Sequence, residues 1–111
     1  MALRLKTTQI LHGSSRLSEV LDSKIEVSVD FSTAYDPSAI AAGTSISQVF
    51  TVTGALLGDF THHSFSQNLA GVVMTSYVNQ AGQVTVVLFN PTGSTVNLAG
   101  GTIKLRLTRS A

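Results

Sequence analysis

The sequence contains no cysteine, which excludes disulfide bonds, thiolate metal sites and cysteine nucleophiles, and which leaves stability to packing or to partners. It also has no marked excess of charge: seven basic and six acidic residues give a net charge of +1, which favours neither nucleic acid nor an acidic membrane. The N-terminal residues lack the apolar run of a signal peptide, and no apolar run is long enough to span a bilayer. We therefore expect a soluble, uncleaved chain without a membrane partner.

Charged residues are also missing from the whole stretch between Phe60 and Ile103. Gly, Asn, Ser, Gln and Pro interrupt this stretch every few residues, so it cannot be a membrane helix. Small neutral polar residues of this kind suit a β surface that touches another protein. The stretch therefore indicates a part of an assembly and not an enzyme.

Hydrophobic and polar residues alternate along most of the chain, which predicts β-strands with one buried face. We predict strands over 25–32, 46–52, 60–67, 72–79, 84–89 and 102–109, separated by residues that favour turns. A chain of 111 residues fits one domain, and strands spaced by about ten residues predict an all-β fold, an antiparallel β-sandwich of jelly-roll type. In the connection before Phe60, we expect Leu56 and Leu57 to close one end of the core. Residues 1–24 are the least regular and are predicted to form an N-terminal arm, with 25–111 as the sandwich domain.

The residues that could carry chemistry are few and scattered. His62 and His63 are adjacent, so in a strand they point to opposite faces and cannot ligate one metal, although one histidine per subunit could ring a three-fold axis. Glu26 and Asp30 share a strand face about 13 Å apart, which is too far for an acid and base pair. The sequence therefore predicts no enzyme, no catalytic residue, no metal site and no cofactor. Aromatic residues do not interleave with basic ones, which disfavours nucleic acid as a partner.

Basic residues are concentrated at the two ends of the chain, where they suggest a docking surface. Basic residues alternate with leucines in 103–107, and the sequence Leu3-Arg4-Leu5-Lys6 repeats that pattern. Such a basic strand face meets an acidic partner, or it belongs to a solvated edge strand whose charges discourage strand addition. The docking residues that we predict are Leu3, Arg4, Leu5, Lys6, Lys104, Arg106 and Arg109.

Two predicted strands carry apolar residues on both faces, which favours self-association. Val84, Val86 and Leu88 occupy one face of their strand, while Val87 and Phe89 occupy the other. The run Val72-Val73-Met74 behaves in the same way. Either other copies of the chain or loops of the same chain must cover the outward residues. The self-association residues that we predict are Val72, Val73, Met74, Val87 and Phe89.

Several short motifs resemble those of a known group of proteins. They are Tyr35-Asp36-Pro37-Ser38, Ile40-Ala41-Ala42-Gly43, Val52-Thr53-Gly54-Ala55-Leu56-Leu57-Gly58-Asp59-Phe60, Val84-Thr85-Val86 with Asn90 and Thr92-Gly93, and Leu98-Ala99-Gly100-Gly101-Thr102. Over residues 35–107 the chain thereby resembles small β-sandwich proteins found among the virion genes of tailed bacteriophages. The resemblance implies a structural subunit, often trimeric, on the head or on a fibre or tail appendage.

From this resemblance we expect a head decoration, or cement, protein that forms a homotrimer and bridges subunits of the major capsid protein. It would be assembled in the host cytoplasm and reside in the virion. The alternative is a fibre, knob or tail-appendage subunit that grips host polysaccharide through loops 68–71 and 90–95.

Overall fold

The computed structural model describes residues 26–110, and within this range the regular elements are six β-strands. They are β1 (Glu26–Tyr35), β2 (Ser45–Thr51), β3 (Phe60–Phe65), β4 (Val73–Gln80), β5 (Gln83–Phe89) and β6 (Gly101–Ser110). All six correspond to predicted strands, with boundaries that differ by at most three residues. The predicted arm and the predicted docking residues Leu3, Arg4, Leu5 and Lys6 lie outside the described residues.

The strands form two antiparallel sheets of three strands, in the orders β1-β6-β3 and β2-β5-β4. The pairing is nested, because β1 pairs with β6 and β2 pairs with β5, while the edge strands β3 and β4 lie side by side where the two sheets meet. A rolled-up arrangement of nested antiparallel pairs is the jelly-roll pattern. The antiparallel β-sandwich is thus confirmed.

The core lies between the two central strands. Ile103, Leu105 and Leu107 project inward from β6, and every second residue of β5 from Val84 to Leu88 projects inward from the other sheet. Burial of each such side chain stabilises the fold by about 1.5–3 kcal/mol. Since β6 is hydrogen-bonded on both sides, the interpretation of its basic residues as protection of an edge strand is wrong.

The two long sides of the sandwich are closed by different chemistry. Between β3 and β4, the Thr61 hydroxyl donates to the Ser76 carbonyl at 2.9 Å, and His63 Nδ1 lies 2.9 Å from Ser76 Oγ. On the β1 and β2 side, the ring of Phe50 packs against Phe31 and Tyr35, with centroids 5.7 and 5.4 Å away. Burial in this cluster raises the pKa of the Tyr35 hydroxyl above its ordinary value of 10.0.

Asn90 ties together two loops at one end of the sandwich. Its side chain is fully buried and donates to the carbonyls of Ile40 and Ser94, both at 2.8 Å, while its oxygen accepts from the amide and the hydroxyl of Thr92. The backbone of Asn90 also pairs with Gly43 and Thr44. Every polar group of this buried side chain is therefore satisfied, which is the condition under which a buried amide stabilises a fold.

The loop before β3 differs from the expectation. Ala55 is buried, but Leu56 and Leu57 are 46% and 70% exposed, so the prediction that these leucines close the core is wrong. The reason is Asp59, whose carboxylate accepts from the Leu56 amide at 3.0 Å and from Arg109 at 2.6 Å. These bonds fix a turn that directs the two leucines outward.

Candidate interaction surfaces

The outward face of the second sheet carries no charged residue, and we call it the uncharged face. The strand register places three rows of three residues on it: Ser45, Phe89 and Val73; Ser47, Val87 and Thr75; Val49, Thr85 and Tyr77. The four largest side chains at its ends and edges, Val49, Val73, Tyr77 and Phe89, are between 41% and 53% exposed. The other described residues thus leave about half of each of these four side chains exposed.

Three of the predicted self-association residues, Val73, Val87 and Phe89, lie together on the uncharged face. The other two do not, since Val72 and Met74 are only 5% and 7% exposed and belong to the core. Alternation explains the division, because neighbouring residues of a strand point to opposite faces. Tyr77 and Val49 complete the surface, and in each case the residues two positions away along the strand are polar.

The outward face of the first sheet has the opposite character, and we call it the charged face. In one register row Asp30, Arg106 and His62 lie side by side, and in the next row Lys104 lies between Ser32 and Ser64. Arg106 donates to both oxygens of Asp30, at 2.6 and 3.2 Å. This pair lowers the pKa of Asp30 below its ordinary value of 3.8 and raises the pKa of Arg106, chiefly through the hydrogen bonds.

An open groove of about 620 Å³ runs over the charged face, and all six of these residues line it. Phe60 stands on the same face, two residues before His62 along β3, and its ring is largely exposed. The groove therefore combines two cations, one carboxylate, two hydroxyls and an imidazole, with an exposed aromatic ring nearby. The nine residues of the uncharged face do not offer such a combination of charged and polar groups.

The predicted basic docking residues of the last strand are divided between two environments. Lys104 and Arg106 lie on the charged face, whereas Arg109 has the register of the inward residues and contacts Asp59 and the Gly54 carbonyl. The Arg109 and Asp59 side chains are 29% and 1% exposed, so this pair holds the loop in place and is largely withdrawn from a partner. Arg106 is likewise engaged, by Asp30, and within 26–110 Lys104 is the basic residue that makes no ion pair.

The two adjacent histidines lie as strand geometry requires. His62 Nε2 is 3.4 Å from the Thr108 hydroxyl on the charged face, while His63 faces β4. Among the described residues, no three His, Asp or Glu side chains are placed to hold a metal ion together. Residues 26–110 contain no helix that is long and apolar enough to cross a membrane.

No protein-family model matches the chain, and no curated protein matches its sequence. Function is therefore inferred from the surfaces themselves and from the resemblance of residues 35–107.

Proposed function

We propose that the chain is a structural subunit of a tailed-phage virion, a decoration or cement protein that stabilises the head by bridging subunits of the major capsid protein. The uncharged face is the observation that carries this proposal. Exposed apolar side chains without charge, on a small rigid sandwich, are what a surface between protein subunits requires. The resemblance of residues 35–107 to small virion proteins is the reason for proposing a phage virion as the assembly.

Identical copies can meet through the uncharged face without like-charge repulsion. Each large side chain that becomes covered contributes on the order of 1.5–3 kcal/mol before the costs of association. Three strands spaced by about 4.8 Å and five residues long give a footprint of roughly 250 Å². A stable interface takes about 800 Å² from each partner, so this face alone supports only weak pairing in solution.

Docking on a head changes this balance, because neighbouring copies are then held at a high effective concentration. We propose that three copies surround a three-fold axis, each covering part of the uncharged face of the next. Apolar contacts that span the junctions between capsid subunits raise the free energy needed to separate those subunits. The charged ends of the chain remain the proposed contacts to the capsid, with Lys104 as the described residue most available for it.

The experiment is to add the purified protein to phage heads that lack it, and to count bound copies by quantitative mass spectrometry. We expect hundreds of copies per head and a higher temperature of DNA release. Phe89→Lys places a charge on the uncharged face and should lower both quantities. Ala81→Lys adds the same charge to the exposed turn between β4 and β5, at the opposite end of β5 from Phe89, and should leave them unchanged.

Two results would contradict the proposal. One is a strict monomer that never binds heads. The other is a particle with tens of copies or fewer, which would indicate the alternative, a fibre, knob or tail-appendage subunit. The loops that this alternative invoked are occupied in holding their own turns: Asn68 Oδ1 accepts from the Ala70 amide at 2.8 Å, and Asn90 is buried.

A further inference from the structure

We propose that the groove on the charged face binds an acidic saccharide. This inference goes beyond the proposed function, because it concerns the opposite face of the domain and holds wherever the subunit stands in the particle. It starts from the row Asp30, Arg106 and His62 and the row Ser32, Lys104 and Ser64, which the register of β1, β6 and β3 places together.

The groove offers fixed donors for a carboxylate. A guanidinium has five N–H donors. In Arg106 the Nε and Nη2 atoms are directed at Asp30, so the remaining N–H groups are held in place and point away from that pair. Lys104 contributes an ammonium between two serines and makes no ion pair with a described acid. With two cations and one carboxylate in the lining, an anionic ligand is favoured over a cationic one.

Three features select a sugar over an acidic peptide. Asp30 is a good acceptor for sugar hydroxyls, which are donors that the carboxylate side chains of an acidic peptide do not carry. Ser32 and Ser64 can both donate to and accept from hydroxyl groups, as a polyhydroxylated ligand requires. The exposed ring of Phe60 provides an apolar surface on which the C–H face of a sugar ring can rest.

The test uses the full chain, isotopically labelled, and follows its amide signals by NMR during titration with tetragalacturonate. The neutral galactose oligosaccharide of the same length serves as the uncharged comparison, and a short polyglutamate as the acidic peptide. We expect tetragalacturonate to shift signals of the residues lining the groove and to bind about tenfold more tightly than the neutral oligosaccharide, since a charge-assisted hydrogen bond is worth about that factor. It should also bind more tightly than polyglutamate, which has neither hydroxyl groups for Asp30 and the serines nor a ring face for Phe60.

Two exposed positions allow variants that leave the fold intact. Lys104→Gln should reduce the affinity for tetragalacturonate about tenfold and leave the weak binding of the neutral sugar unchanged. Phe60→Ser should weaken both sugars. The matched control is Tyr77→Ser, which removes an exposed aromatic ring from the opposite face and should change neither affinity.

Three outcomes would overturn the proposal. The first is an absence of shifts in the groove at millimolar tetragalacturonate. The second is equal affinity for the neutral oligosaccharide together with no effect of Lys104→Gln. The third is tighter binding of polyglutamate at the same residues, which would assign the groove to an acidic protein segment.

Discussion

Two ion pairs in this domain have the same short distance between donor and acceptor, but they should differ widely in their contribution to the free energy of unfolding. Arg109 and Asp59 approach to 2.6 Å with side chains that are 29% and 1% exposed. Arg106 and Asp30 also approach to 2.6 Å, but they are 63% and 64% exposed. Because water screens an exposed pair and competes for its hydrogen bonds, we predict that only the Asp59 pair contributes substantially to stability.

The perturbation is Asp59→Asn, which keeps the shape of the side chain and removes its charge. Oδ2 of Asp59 accepts from both the Leu56 amide and Arg109, and an amide oxygen can take its place, so the substitution removes the charge of the acceptor and leaves Arg109 without a counter-ion. A hydrogen bond to a charged group is worth about 1.5–3 kcal/mol, and we expect the free energy of unfolding to fall by about 2 kcal/mol. For a domain of this size that corresponds to a decrease of about 10 °C in Tm.

Urea unfolding followed by circular dichroism measures the effect. With a slope of about 1 kcal/mol/M, Asp59→Asn should lower the midpoint by about 2 M. Asp30→Asn is the matched control, and its midpoint should stay within the error of the wild-type value. Equal shifts of the midpoint for the two variants would refute the reasoning that burial, and not distance, determines how much these pairs contribute to stability.

Three further predictions concern the core, the buried amide and the titration of the exposed pair. Leu105→Ala removes a side chain that is almost fully buried and should destabilise the domain by about 2–5 kcal/mol in the same urea assay. Asn90→Ala removes two donated and two accepted hydrogen bonds from a fully buried site and should cost about 3 kcal/mol, with amide hydrogen exchange accelerated at 40–44 and 90–96. Unchanged exchange there would contradict the role of this side chain. Asp30 should titrate below 3.8 by carboxyl NMR and return towards that value in Arg106→Gln. The stabilisation linked to this lowered pKa is too small to move the urea midpoint; it is present above the ordinary pKa and is lost as the pH falls through the lowered pKa.

Strand positions were predictable because each strand buries one face, and burial leaves a period of two in the sequence. Alternation also separated Val87 and Phe89 from Val84, Val86 and Leu88. It did not reveal which strands are neighbours, so the basic last strand was open to interpretation as an edge. Pairing between β1 and β6 joins residues from opposite ends of the domain, and no local pattern reports such a contact.

The interaction surfaces were predictable only in part, for a related reason. Phasing placed Lys104 and Arg106 on one face, but Asp30 and His62 come to that face through the register of β1 and β3. Val72 and Met74 were assigned outward because an unbroken apolar run hides its phase. The exposure of Leu56 and Leu57 depends on a bond between Asp59 and Arg109, which are fifty residues apart in the sequence.

The nested pairing of the strands also decides when the domain can fold. β1 has a single hydrogen-bonded neighbour, β6, and Glu26 stands opposite Ser110 in that pair. During synthesis β1 leaves the ribosome first and β6 leaves it last. In the growing chain β1 and β3 therefore have no strand to pair with until Gly101–Ser110 have been made. Chains that terminate before Gly101 lack the centre of one sheet, and we expect them not to fold.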